Sequence, residues 1–300
     1  MKKILKNNWL LIIIFLALLS IFLFNTYKYL SNAHQLEKSS IEASEKCSKN
    51  NITEAMLEYC EEVEKAPTYK IDFYSMFYST YSQGYNFMIF IIFLLITIPS
   101  IRIVCPFFKN NILKNTLTRQ SYRKVIIKLF AKAYKSALLL PILTIVAFII
   151  CFISTGNFDF NNAIEGNFVS WSKDSMQSPF LFMFVYTFKI FIISIIYINI
   201  SLIICKKNHN FVTATILSYL CFIAIEIFLE LVGNTLIFTV ILNSGFGIVL
   251  NILAIFSLFD YYGLAYSILI PLIFFVITSV IVYFEYKNKE KMLIECEKNA

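Results

Sequence analysis

Histidine is almost missing from this 300-residue chain: His34 and His209 are the only two. The loop charges described below put them on opposite sides of a membrane, so neither a His-rich metal site nor a Ser-His nucleophile pair is readable. The phosphate loop Gly-x4-Gly-Lys-Ser/Thr is also missing, and with it the usual ATP cradle. None of the seven cysteines has metal-ligand spacing. These gaps argue against an enzyme, and no catalytic, cofactor or metal residue is assigned. Acid is missing from one place in particular. Between Ile101 and Leu140 nine Lys and Arg occur without a single Asp or Glu, and six of the nine fall in "KNNILKNTLTRQSYRKVIIK", Lys109 to Lys128.

What the chain has in excess is apolar surface. Hydrophobic residues make up 58% and aromatic ones 17%, with a mean hydropathy of +0.70, far from a soluble domain of this size. The reading is an all-α polytopic membrane protein. About 20 apolar residues cross a hydrocarbon core, which places six spans: Trp9 to Phe24, Asn86 to Cys105, Ser136 to Ser154, Phe180 to Cys205, Phe211 to Leu231, and Gly263 to Phe284. A signal peptide cut after Ala33 is the alternative for the first run, but its apolar part ends about nine residues too early for that site. The net charge of +7 is read as loop charge and not as a nucleic-acid footprint.

Lys and Arg asymmetry then orients the spans. The N-terminus holds Lys2, Lys3 and Lys6, the second connection the nine cations above, and the fourth Lys206 and Lys207. These belong in the cytoplasm, with both termini. The first connection has six Lys against nine acids, and the third has Lys173 against Asp159, Glu165 and Asp174, so both belong outside. Abundant Lys, Ile and Asn suit a low-GC bacterial source, hence the cytoplasmic membrane.

In the large outer loop, residues 26–85, "NNITEAMLEYCEEVEKAP" reads as a helix capped by Asn51 and stopped before Pro67. A polar helix over His34 to Ser48 precedes it, which makes a hairpin with Cys47 and Cys60 on either side of its turn. In an oxidising compartment the pair either closes, for about 3 kcal/mol of loop entropy, or stays as two free thiols. The Tyr- and Phe-rich stretch "YKIDFYSMFYSTYSQGY" after Pro67 reads as an interfacial anchor for the second span.

Residues 234–259, Asn234 to Phe259, are apolar but interrupted by "NSGFG" at Asn243. Each half is too short to cross alone, and a seventh span would leave "DYYG" in a cytoplasmic turn without a cation. A re-entrant pair fits better, provided its broken backbone is buried. Three charges lie within spans and need a reason. Lys189 sits about 14 Å into the fourth span, while Glu226 and Glu230 share one face of the fifth. The reading is a structural pair of Lys189 with Glu226, against a substrate-path or proton-coupling role.

The segment between the second and third spans resembles one in type 2 ABC exporter permeases, where a Gly precedes Leu-Leu, a Pro, Ser-Arg and a downstream Lys. Leu113, Leu117, Arg119, Ser121, Arg123 and Lys128 or Lys132 match, while Asn110 or Asn111 stands at the Gly and Gln120 at the Pro. Six spans, a large first outer loop and a re-entrant pair also match that layout. The resemblance implies one transmembrane domain over 1–300 that dimerises with itself or a similar permease. It also implies a separate ATPase subunit carrying ATP and Mg, docked on a cytoplasmic coupling segment at 106–135. No cofactor is implied in this chain. Leu113, Thr116 and Leu117 at helical spacing after Asn111 would form the docking knob, with Lys114, Arg119 and Arg123 around it. The cations alternatively serve only orientation and anionic lipid. Drugs, peptides and lipids are all cargo classes of that family. The competing functions are a proton-driven transporter using Glu226 or Glu230, and a non-transporting immunity or peptide-sensing protein working through its outer hairpin.

Overall fold

The computed structural model describes residues 2–47, 60, 71–82, 84, 89–109, 112–156, 179–241, 243 and 264–298. Every regular element among them is helical, and six helical stretches are long and apolar enough to cross a membrane. Lipid offers no partner to backbone groups, so an apolar run of this length satisfies them internally by coiling.

Helix α1, Lys2–Cys47, is one unbroken helix of 46 residues, about 69 Å long at 1.5 Å per residue. It runs through Ala33, which is buried. The polar helix expected over His34 to Ser48 is therefore a continuation of the first span and not a separate element. Continuity is favoured because the run between Phe24 and His34 contains neither Gly nor Pro. The partner helix expected after Asn51 lies outside the described residues.

Helix α2, Phe73–Phe77, starts at Asp72, whose carboxylate accepts from Ser75 N at 2.7 Å and Ser75 Oγ at 2.7 Å. A π turn, Tyr78–Ser82, continues it. This is the stretch expected to be an interfacial belt, and that expectation is corrected: Phe73, Tyr74, Met76, Phe77 and Tyr81 are all buried. They form a wedge between α1 and helices α6 and α7 defined below. Phe77 stacks on Phe148 with centroids 4.4 Å apart, and Tyr81 bonds Thr144 at 2.6 Å. Asn25 of α1 donates to Thr80 O, and a Cβ on Gly84 would collide with it.

Helix α3, Ile89–Lys109, forms the second span and carries Pro99 and Pro106 inside it. After it come α4, Ile112–Leu117, and α5, Tyr122–Ala133. A 3-10 turn, Tyr134–Leu138, joins α5 directly to α6, Leu139–Thr155. The third span thus begins at Tyr122 as a continuous helical stretch, a full three turns before the expected Ser136. Gly156, in the left-handed region at φ 74°, ends it.

Helix α7, Pro179–Lys207, is the hub, with α3, α6, α8 and α9 all packed on it. Two-thirds of its membrane-length window is buried, against 11% for the last span. No polar stripe appears on α7, since the residues it leaves exposed, such as Phe180 and Phe184, are apolar and suit lipid. Helix α8, Phe211–Phe228, is capped by Asn210, which accepts from Val212 N at 3.0 Å. It passes without a break into a π stretch, Leu229–Ile241. The π winding runs through Gly233 and Asn234 to Ile241, over the start of the expected re-entrant pair. Asn243, first residue of the expected turn, takes φ 45°; the rest of the expected re-entrant pair lies outside the described residues. Helices α9, Leu264–Lys287, and α10, Lys289–Lys298, complete the chain.

Several buried hydroxyls bond along their own helices or across them. Thr97, Ser194 and Ser201 bond the carbonyl one turn back. Ser100 bonds Ser136 Oγ and Ala133 O, each at 2.7 Å, joining α3 to the start of the third span. Asn199, fully buried on α7, donates to Thr278 and Ser279 of α9 at 3.1 Å and accepts from Tyr134. Interhelical bonds of this kind contribute about 0.6 to 2 kcal/mol each in a membrane.

Candidate functional site

The basic connections gather at one end of the bundle. At that end lie α4 and α5, the α7–α8 turn, and the α9–α10 junction, tied together by bonds described below. The expected single helix over Lys109 to Lys128 is instead two helices with a turn between them. Arg119 N and Gln120 N both reach Thr116 O, at 3.1 and 3.0 Å, closing the turn. Ser121, extended at φ −65° and ψ 143°, starts α5. The Gln120 side chain accepts from Lys128 at 2.9 Å, which ties α5 back to the turn. Polar Thr118, Arg119, Gln120 and Ser121 at four successive positions supply no apolar residue to hold another helical turn against the bundle.

Helix α5 is amphipathic in the plain sense. Val125, Ile126, Leu129 and Ala133 are buried, and Arg123, Lys124, Lys128 and Lys132 are exposed. Its span-like continuation therefore begins as a helix lying over apolar surface with its cations outward.

Leu113, expected to be an exposed docking anchor, is 0% exposed and belongs to the chain's own core. Thr116 and Leu117 are half-buried, and Leu117 packs on that core. The predicted knob is thus turned inward, which is the physical consequence of α4 packing on α3 and α5. What faces outward is Ile112, Lys114, Arg119, Arg123, Lys124, Ile127 and Lys128. Apolar Ile112 and Ile127 amid these cations keep the composition of a docking surface, with different anchors.

Behind that surface is a buried knot that sequence reasoning missed. Lys206 is 1% exposed, and its ammonium donates to both the carboxylate and the carbonyl of Glu285. The Glu285 side chain keeps 29% exposure. Tyr286 donates to Leu202 O at 2.7 Å, and Tyr122 of α5 donates to Tyr286 O. Phe130 of α5 meets the Tyr286 ring edge-on at 4.9 Å, and Phe108 of α3 lies between Tyr286 and His209. His209 is buried and bonds Lys206 O at 2.7 Å. Helices α3, α5, α7 and α9 therefore meet in one cluster, in which Tyr122 and Phe130 join α5 to the last span at Tyr286. The only advance signal was Lys206 itself, a cation at the end of an apolar run, which read as a flanking charge.

The intramembrane charges lie elsewhere. Phe222 packs on Tyr197 with centroids 4.3 Å apart, so Glu226, one turn later, is about level with Ile193 and one turn short of Lys189. Glu226 is 4% exposed and close enough to Tyr197 to interact with it electrostatically, while Lys189 is half-buried. Among the described residues, Lys206 and Glu285 form an ion pair joining two spans. Glu230 is on the π stretch, and its side chain is outside the described residues. At the opposite end of the molecule, a disulfide joins Cys47 to Cys60, with Cα atoms 5.5 Å apart.

No group of three or more His, Cys, Asp or Glu suited to a metal ion occurs among the described residues. No protein-family model matches the chain, and neither a characterised protein nor a solved structure matches it.

Proposed function

We propose that the chain is the permease subunit of an ATP-driven exporter in the bacterial cytoplasmic membrane. It pairs with a second permease and works with a separate ATPase subunit that holds ATP and Mg. The observation that carries this reading is the two-helix cationic segment at the basic end, exposed on one side and bonded through Tyr122 and Tyr286 to the last span on the other. A segment that only oriented the chain needs summed charge and no such linkage. A docked motor needs both a surface to push and a connection to the helices that move.

The test compares two variants of equal charge. Arg119→Gln with Arg123→Gln removes two cations from the docking face, and Lys132→Gln with Lys135→Gln removes two further along the chain, from the end of α5 and the 3-10 turn after it. Lipid attraction, about 1 kcal/mol per cation, treats the pairs alike. Docking does not: the arginine pair should release a co-purified ATPase and abolish its transport-linked hydrolysis, while the lysine pair keeps both. Equal behaviour of the two pairs leaves lipid as the partner, and a tagged chain that brings down no ATPase overturns the exporter reading.

A buried carboxylate at membrane depth, Glu226, supports proton-driven transport as the second reading. There Glu226→Gln stops transport in vesicles energised by a proton gradient without ATP.

A further inference from the structure

We propose that Cys105 and Cys205 form a reversible dithiol–disulfide site at the basic end of the bundle, oxidised by hydrogen peroxide. The two Sγ atoms are 3.0 Å apart, about 1 Å longer than a disulfide bond. They come from different helices, α3 and α7, and a hundred positions apart in the chain. Both side chains are buried, so neither sulfur can rotate away into solvent. Cys105 is further held by Asn208 O at 3.6 Å, in the turn that follows α7. Closure therefore needs only a small approach of side chains already facing each other, and the helices need not be rebuilt.

The chemistry balances with peroxide as the oxidant. One thiol loses its proton and its sulfur attacks a peroxide oxygen, breaking the O–O bond and leaving a sulfenic acid and one water. The second sulfur then attacks the sulfenic sulfur and displaces its hydroxyl. That hydroxyl leaves as a second water with the remaining thiol proton. Two electrons pass from the thiols to the peroxide, and an added dithiol returns them. Burial slows such reactions by disfavouring thiolate and access, which restricts the oxidant to one that is small and uncharged. Exposed Lys207 lies two residues past Cys205, which puts that sulfur near the end of its helix.

The compartment decides which state is resting. The charge pattern assigns this end to the cytoplasm, where glutathione and thioredoxin keep thiols reduced and disulfides serve as transient sensors. Oxidation would weld the inner end of α3, the root of α4, to α7. Resting on the exporter reading, that weld acts as a brake, holding the coupling segment while the ATPase turns.

Thiol trapping reads the site without reference to transport. Cells are quenched in acid, the protein is denatured and alkylated, and cross-linked peptides are mapped before and after reduction. The expected result is Cys105 and Cys205 both alkylated in untreated cells, joined to each other after a brief pulse of hydrogen peroxide, and alkylated again after recovery. Cys47 and Cys60 should stay joined throughout. Cys105→Ala and Cys205→Ala, tested separately, should each remove the new cross-link. No cross-link under peroxide, a cross-link already present in untreated cells, or one made instead through Cys151 or Cys221 overturns the proposal. If the pair closes but hydrolysis by the co-purified ATPase is unchanged, the brake falls and the redox site stands.

Discussion

The two ends of this molecule are held by different physics. The end bearing the α2 wedge is closed by stacked rings: Phe73, Phe77, Phe148, Phe182 and Tyr186 pack face or edge against one another. The basic end is closed by directed bonds, with Lys206 on Glu285, Tyr286 on Leu202 and Tyr122 on Tyr286. Rings tolerate sliding because dispersion has no preferred direction. Charge-assisted and buried hydrogen bonds do not, and they transmit displacement from one helix to the next.

Removing a ring should give the largest effect and the least specific one. Phe77→Ala deletes a fully buried side chain stacked on Phe148, and such deletions cost about 3 to 5 kcal/mol. The expected outcome is a large drop in thermal unfolding temperature in detergent. Phe77→Leu, which refills most of the space, should lose much less. If the two variants fall equally, the wedge depends on ring geometry and the contrast between the ends fails.

At the basic end the effect should depend on which partner is removed. Glu285→Ala strands Lys206 as a buried cation, at a cost of about 3 kcal/mol or more. Lys206→Met leaves Glu285, whose side chain keeps 29% exposure and can be hydrated. The expected order of stability is wild type, then Lys206→Met, then Glu285→Ala, with Lys206→Met and Glu285→Gln together above Glu285→Ala alone. Glu285→Ala as mild as Lys206→Met would mean that Lys206 finds water, and that the knot is looser than its geometry.

Much of this contrast was hidden in the sequence for reasons that can be named. The six membrane-length helices were legible because about 20 apolar residues have few other uses. The cationic segment was legible as a place, since nine cations without an acid stand out. Its inward face was not, because Leu113 at helical spacing reads the same whether α4 packs on its own bundle or on a partner. The wedge was misread because Tyr and Phe suit an interfacial belt as well as a core. Lys206 and Glu285 are separated by 79 positions, each at the edge of an apolar run where charges are ordinary. Their meeting is a property of the packing of α7 on α9, which no local pattern reports. The π stretch after Phe228 was equally unreadable, since π winding has no composition of its own.

The outer arm sharpens the comparison through covalent closure. Cys47→Ser opens the one disulfide that anchors the end of α1, in a segment extending about 34 Å beyond Phe24. Because His34 to Cys47 is largely exposed, opening it should raise hydrogen exchange along that part of α1 while shifting global unfolding by no more than about 1 kcal/mol. A global shift near the roughly 3 kcal/mol of the loop-entropy model would show that the arm and the bundle unfold as one unit.

The smallest effect should come from a single hydroxyl, and it separates transmission from stability. Tyr286→Phe removes the bond to Leu202 O while keeping the ring against Phe130 and Phe108. Leu202 lies inside α7, where its carbonyl already faces the amide of Lys206 one turn on, so losing the phenol leaves no orphaned acceptor. The cost should be about 1 kcal/mol. Tyr122→Phe should cost somewhat more, because Tyr286 O lies in the last turn of α9, where a carbonyl has no intrahelical donor to replace the lost phenol. Neither change touches the exposed face of α4 and α5, so on the exporter proposal ATPase binding should be retained in both. Export per ATP hydrolysed should nevertheless fall, most in the double variant, if these two hydroxyls carry movement from α5 into α9. Export falling only in proportion to lost protein would assign both bonds to packing alone and place transmission in α3 and the third span, the two helices that the segment joins directly.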